Sequence, residues 1–509
     1  MPEKGEGGPV VVTSAGAVRG VARPGSAAFL GIPYARAPIG PLRFAAPVPP
    51  EPWTEVRDAT AFGATPQRGD TGITLIPEPS VPGTGTLNVN VYTPHPDAAG
   101  LPVLVWIHGG GYVSGSPASP WYDGGTFARD GVVVVTLSYR LGFDGFGWID
   151  GAPANRGVRD WIAALEWVQE NIAAFGGDPS RVTIAGQSAG GGAVLTLLGM
   201  PAAQHLFSAA WSVSGALGDV PRSDAEERSR RLAALAGVTA DRDGFARVPD
   251  ERLHDLQERA AYPPSRDRLA VAREMLRELA WGPMVDGDLL PEPTPASLAA
   301  GVGADKPLLL GSADDEFTMV TARMSRTLRM IPPGLALGAL GVARRTRHAY
   351  LRDNPGPRRA GTAALLGRYV SDRVFRHLVP TVADARTDAA APTWAYRFSW
   401  RSPVIGWAAH CLDVPFWFDC LDADRVTAIT GPRPPAALAA EMHGAAVDFV
   451  RTHRAPWSPW SGAAGAGGGG GNGGAGAGDV RAGTARVFDT PAASPPVIPD
   501  AYASTRALS

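Results

Sequence analysis

The sequence predicts an α/β protein with a large, mostly parallel central sheet, doubly wound, with helices on both faces. Apolar runs alternate with helix-period segments through the first 215 residues. The runs Val103–Ile107 and Val132–Ser138 are short, rich in β-branched residues and bounded by glycine or polar residues. They lack polar alternation, as expected of strands covered on both faces. Between them and the next strand, apolar residues recur at Val158, Trp161, Ile162, Leu165, Val168 and Ile172. That spacing makes one helical stripe, and Phe175-Gly-Gly177 ends it.

Arg181–Ala185 reads as a further buried strand, and Ala193–Leu198 as an apolar helix soon after it. From Ser223 to Leu279 the sequence is charged and helical, with arginine and glutamate interspersed. A second helical stretch, Met319–Arg345, is broken by Pro332-Pro333-Gly334. Gly462–Gly478 is almost pure glycine and alanine; it cannot bury side chains and is expected to be a disordered loop inserted in the last part of the chain. A chain of 509 residues can bury about three quarters of its surface in one core or divide into about three domains.

Composition narrows the function. Basic and acidic residues number 47 and 49, a net charge of −2, which argues against a nucleic-acid or membrane-surface protein. Two cysteines, Cys411 and Cys420, exclude a disulfide scaffold and a four-cysteine zinc site, and neither CxxC nor HExxH occurs. The first twelve residues lack the apolar stretch of a signal peptide, and Leu101–Ile107 and Val132–Leu137 are too short to span a bilayer. A soluble cytoplasmic protein is expected.

Two segments carry chemistry. Gly186-Gln187-Ser188-Ala189-Gly190 follows a strand and opens a helix, the context in which a turn presents a nucleophilic serine. The turn strains the serine backbone, so residues two before and two after must be small. His108-Gly109-Gly110-Gly111 directly follows the strand Val103–Ile107. A tetrahedral oxyanion needs two or three fixed N–H donors, and residues without side chains let the backbone approach it. A phosphate-cradling loop is the alternative, but GK[ST] is absent and GxGxxG does not fit the spacing.

With these segments the chain resembles the type-B carboxylesterases, the α/β-hydrolase family that contains bacterial p-nitrobenzyl esterases and the cholinesterases. The resemblance runs from Phe29-Leu-Gly-Ile-Pro-Tyr-Ala35 and Pro41-Leu-Arg-Phe44, through Leu87–Pro94, Tyr139–Gly142 and Asn155–Gly191, to Arg486-Val-Phe-Asp489. It implies one catalytic domain spanning residues 1–509 and a serine esterase working through an acyl-enzyme, with no cofactor or metal. It assigns the acid of the triad to Glu316, in Asp314-Asp-Glu316 after the strand Leu308–Gly311, and the base to His410, before Leu412-Asp-Val-Pro-Phe416. Asp314 and Asp315 lie within reach of a shift in that assignment. Ser188, Glu316 and His410 then follow the chain order of the family. Gly110, Gly111 and Ala189 are expected to form the oxyanion hole, with Gly109 as the loop's entry residue, and Ser214 to support the triad from behind or to be a strand-end turn serine.

The chain also departs from the family. Gly83-Thr-Gly-Thr-Leu87 replaces a Ser-Glu-Asp-Cys-Leu segment whose glutamate pairs with the arginine of Pro-Leu-Arg-Phe, so Arg43 is expected to lack its partner. Phe317 stands where glycine usually follows the acid. Arg140 and Asp178 persist and are expected to form a buried ion pair. Trp121, Trp407, Phe416 and Trp417 are candidates for lining an aromatic gorge, each taken singly being more often a core residue, and Cys411 is expected to pack rather than react. The expected partner is a small-molecule ester, with no nucleic acid and no membrane; oligomeric state is not legible. Carbamate, amide or thioester hydrolysis and acyl transfer use the same triad. A non-catalytic binding module, as in some relatives, would have no need for the complete set.

Overall fold

The computed structural model describes residues 7–67, 75–262, 268–276, 279–460, 483–489 and 497–508; the glycine-alanine tract at 462–478 lies outside them. Ten strands form one twisted sheet in the spatial order Arg486–Phe488, Thr393–Phe398, Leu308–Ala313, Ala209–Val213, Gly177–Gln187, Leu101–Ile107, Val133–Leu137, Asn88–Thr93, Ser26–Pro33 and Val21–Arg23. The first seven in that order are mutually parallel. The last three turn antiparallel at one edge. Val10–Thr13, Gly16–Arg19 and Arg57–Asp58 make a small separate sheet.

Both faces of the large sheet are dry, which is why its strands lack alternation. Along Leu101–Ile107, Val103, Val105 and Ile107 enter one core, while Leu104 and Trp106 enter a second core on the opposite face. Val133 and Val135 divide from Val134 in the same way, and Leu308 and Leu310 from Leu309. The helix Arg156–Asn171 buries Val158, Trp161, Leu165 and Val168 against the first core. It passes into a 3-10 turn at Ile172–Phe175, and Gly176 closes the element at φ +89°.

The described residues of the charged stretch expected to be helical form the helices Arg222–Ala236, Arg242–Ala246, Asp250–Ala261 and Arg268–Met275. The second helical stretch is part of a lobe with its own small core of Leu328, Leu337, Tyr350, Leu365 and Tyr369. Among the described residues, no helix is long and apolar enough to cross a membrane.

Arg140 corrects one expectation. It pairs with Asp160, at 2.7 Å through Nη2 and 2.8 Å through Nε, and both residues are buried. Asp178 is instead at the surface, where its carboxylate accepts from the Ser180 hydroxyl. Asp178 opens a strand at the far end of the sheet, whereas Asp160 lies on the buried stripe of the helix that faces Arg140.

Candidate active site

The segments singled out in the sequence sit at the carboxyl ends of adjacent parallel strands, where open α/β sheets place their ligands. Leu101–Ile107 leads into His108–Gly111, Gly177–Gln187 into Ser188, Ala209–Val213 into Ser214, and Leu308–Ala313 into Glu316. His410 arrives on the loop that follows Thr393–Phe398.

Ser188 has φ +59° and ψ −123°, between the end of its strand and the helix Ala189–Leu198. Such a conformation persists only where the surroundings enforce it. Its N–H donates to the carbonyl of Val213, and its carbonyl accepts from Gly192 and Ala216. The flanking glycines are required by contact: a Cβ at Gly190 would stand 2.0 Å from the Ile107 carbonyl oxygen, and one at Gly186 would stand 2.5 Å from Gly190.

The glycine loop lies against this turn. A Cβ on Gly109 would meet the Gln187 carbonyl oxygen at 2.7 Å and Ser188 Cβ at 3.0 Å. His108 is buried and stacks on Tyr139 at 4.5 Å, and the Tyr139 hydroxyl donates to its carbonyl. Burial pushes the His108 pKa down to about 4, so the ring is neutral and its Nδ1–H reaches the Gly109 carbonyl at 2.8 Å. Among the described residues, the N–H groups of Gly110, Gly111 and Ala189 donate to no protein acceptor. Unpaired backbone donors beside a half-buried serine are what a developing oxyanion requires.

Glu316 is fully buried, and its Oε2 lies 2.5 Å from His410 Nδ1. Its Oε1 accepts the Ala313 N–H at 2.8 Å, and its carbonyl accepts the His410 N–H at 2.9 Å. The neighbouring carboxylates are otherwise engaged. Asp314 binds Arg376 at 2.6 Å and Arg397 at 2.7 Å, and Asp315 binds Arg368 and Arg401 at 3.3 Å. Asp413 is buried with its carboxyl on the Trp417 indole N–H, and burial with the nearby Glu316 charge pushes its pKa up to about 7.

Burial pulls the pKa of His410 down, but its neighbours Cys411 and Glu316 hold it well above the ordinary histidine value. Burial raises the pKa of the Cys411 thiol. On its other side, His410 Nε2 takes the Gln187 side-chain amide at 3.2 Å, and that amide also donates to Cys411 Sγ at 3.3 Å. Among the described residues no hydrogen bond joins Ser188 to His410. Gln187 was missed in the sequence although it directly precedes the nucleophile candidate. Phe317 and Phe375 pack on the imidazole, at 5.2 and 4.5 Å between ring centroids.

Other expectations fare differently. Ser214 is buried at φ +46°, its N–H on the Gly311 carbonyl, and its hydroxyl has no partner among the described residues. Trp121, Phe416 and Trp417 are fully buried in the core on one face of the sheet, Trp417 between Trp211 and Tyr396, so they fill structure rather than line a gorge. Trp407 is half-buried under the Arg401 guanidinium. Arg43, without the family's glutamate, has a substitute partner: it pairs with Asp250 at 2.6 Å and donates to the Val248 carbonyl at 2.6 Å. Among the described residues, no group of three His, Cys, Asp or Glu could hold a metal ion.

Comparison with known proteins agrees with this architecture. The carboxylesterase family matches residues 7–456. Para-nitrobenzyl esterase of Bacillus subtilis is 36% identical over 81% of this chain and 83% of its own. Phenmedipham hydrolase of Pseudarthrobacter oxydans is 32% identical over 87% and 90%. The crystal structure of carboxylesterase EST55 of Geobacillus stearothermophilus superposes with a TM-score of 0.80 at 33% identity, covering 98% of this chain and 99% of that one. With the α/β-hydrolase fold of these esterases and a family match across most of its length, the chain belongs to the carboxylesterase family and is a carboxylic ester hydrolase.

Proposed function

We propose that the enzyme hydrolyses small to medium uncharged esters through Ser188, His410 and Glu316, by way of an acyl-enzyme. The observation that carries this reading is the buried Glu316–His410 couple at 2.5 Å, beside a serine turn packed on the glycine loop. With Nδ1–H given to Glu316, His410 Nε2 carries the lone pair that accepts the Ser188 proton, once the Gln187 amide yields it. Ser188 Oγ attacks the ester carbonyl as the proton leaves, and Glu316 stabilises the imidazolium that forms. The N–H groups of Gly110, Gly111 and Ala189 receive the oxyanion. His410 then protonates the leaving alcohol, and water repeats the attack on the acyl-enzyme. Ser214, one residue beyond the Val213 carbonyl that holds Ser188, steadies the turn from behind.

The chain acts as one catalytic domain, since a single sheet runs from Val21 to Phe488. Two free, buried thiols, Cys411 and Cys420, support a cytoplasmic location.

Hydrolysis of p-nitrophenyl esters from acetate to octanoate, by wild type and by Ser188→Ala, tests the reading. Turnover by wild type alone, with an optimum in acyl length, is the expected result. Turnover by both proteins overturns Ser188 as nucleophile. A wild type that reacts with an organophosphonate but with no ester of the series would move the substrate to another acyl class.

A further inference from the structure

Charge is distributed unevenly along this chain. From Phe317 to Ser371 there are ten arginines and one acidic residue, Asp353, a net charge of +9 that leaves −11 on the rest. These residues form the helical lobe with its own core. Arg323, Arg326, Arg329, Arg344, Arg345, Arg358 and Arg359 are exposed, and among the described residues none of the seven has a carboxylate partner. The neutral total of the sequence conceals this lobe.

The same lobe exposes apolar side chains. Of eleven large hydrophobic residues exposed among the described residues, five fall within Val320–Leu335, with Met330 at 81% and Leu335 at 65%. Hydrogen bonds tie later parts of the lobe to this segment. Arg347 donates to the Gly334 carbonyl at 3.0 Å. Thr362, just past Arg358 and Arg359, donates to the Ile331 carbonyl. Exposed aliphatic side chains interspersed along the chain with unpaired arginines match the interfacial region of a bilayer, where phosphates lie beside acyl chains.

We propose that this lobe docks on an anionic membrane surface, its arginines on lipid phosphates and Met330, Ile331 and Leu335 in the interface. The −11 on the rest of the chain orients the molecule, because the same surface repels it. A second copy of the lobe would set +9 against +9. A single-stranded nucleic acid would call for stacking rings, and none of the eleven exposed hydrophobics is aromatic. The lobe begins at Phe317, against His410, so docking holds the site close to lipid-dissolved esters. The inference rests on charge and exposure and does not depend on the proposed triad.

Co-sedimentation of the full chain with phosphatidylcholine vesicles, with and without phosphatidylglycerol, tests it. Partitioning onto the phosphatidylglycerol vesicles alone, released by high salt, is expected. Each of Arg326→Gln and Arg329→Gln should weaken it about fivefold. Met330→Ser with Leu335→Ser should weaken it at unchanged charge, and all of these variants should keep wild-type ester turnover in free solution. Partitioning that is absent, or indifferent to both sets of substitutions, overturns the proposal. So does double-stranded DNA bound as tightly as the vesicles and untouched by the serine variants, which would make the lobe a nucleic-acid face. A concentration-dependent dimer abolished by Leu335→Ser would make it a self-association face instead.

Discussion

The two halves of the site are built from different materials. Around Ser188 the geometry is made by backbone: a strained turn, glycines in contact with carbonyls, and N–H groups without partners. Around His410 it is made by side chains that meet from distant parts of the sequence, with Glu316, Gln187, Phe317 and Phe375 all against one ring. A backbone half is fixed when the sheet forms. A side-chain half depends on which of several neighbouring carboxylates reaches the ring and which is held by an arginine.

Substitutions can break this contrast in decreasing order of effect. Ser188→Ala should lower kcat by about 10⁶ while leaving the melting temperature near wild type, because only the hydroxyl is lost. Glu316→Gln should cost about 10⁴ in kcat. It should also move the acid limb of kcat/KM downward: activity needs neutral His410, Glu316 raises its pKa, and so wild type should lose activity at a pH above the ordinary histidine value. A limb that does not move would remove Glu316 from its role.

Asp314→Ala should do the reverse, costing about 3 kcal/mol of stability by removing the carboxylate that Arg397 pairs with and one of the two that hold Arg376, which keeps Asp372, with kcat per folded molecule preserved. Denaturant unfolding read beside activity separates the two carboxylates. Asp413→Asn should have the smallest effect. Asp413 has a folded pKa of about 7, above its unfolded value, so its buried charge lowers stability progressively as pH rises from about 4 to 7. The variant should therefore melt a few degrees above wild type at pH 8 and level with it near pH 4, by calorimetry.

The backbone half was legible because its information is contiguous: GxSxG and HGGG each sit within five residues and follow recognisable strands. Glu316 could be named only beside Asp314 and Asp315, and the arginines that claim those two lie at positions 368, 376, 397 and 401. Arg140 was assigned the wrong acid because Asp178 stood in a recognised segment. The available signal was Asp160, a charge between Val158 and Trp161 on an otherwise apolar stripe. Three of the four aromatic gorge candidates took the alternative the sequence favoured, the core. Large rings close to site residues in sequence are still drawn into the nearest core, and Trp121, Phe416 and Trp417 filled one. Whole-chain charge carried little information about the lobes, since averaging +9 and −11 gives the same −2 as an even mixture.

Arg43 has a consequence for synthesis. Its guanidinium reaches Val248 and Asp250, and Arg242 reaches back to the Pro41 carbonyl, so the segment around Pro41–Phe44 is tied down by residues about 200 positions later. At about 5–20 residues per second on a ribosome, that segment waits roughly 10–40 s for its anchors. During that interval Phe44 has neither Phe143 nor Phe245 to cover it at first, and then only Phe143. The nascent chain therefore carries an early apolar segment whose shelter arrives late, and a chaperone that binds such segments would find it there.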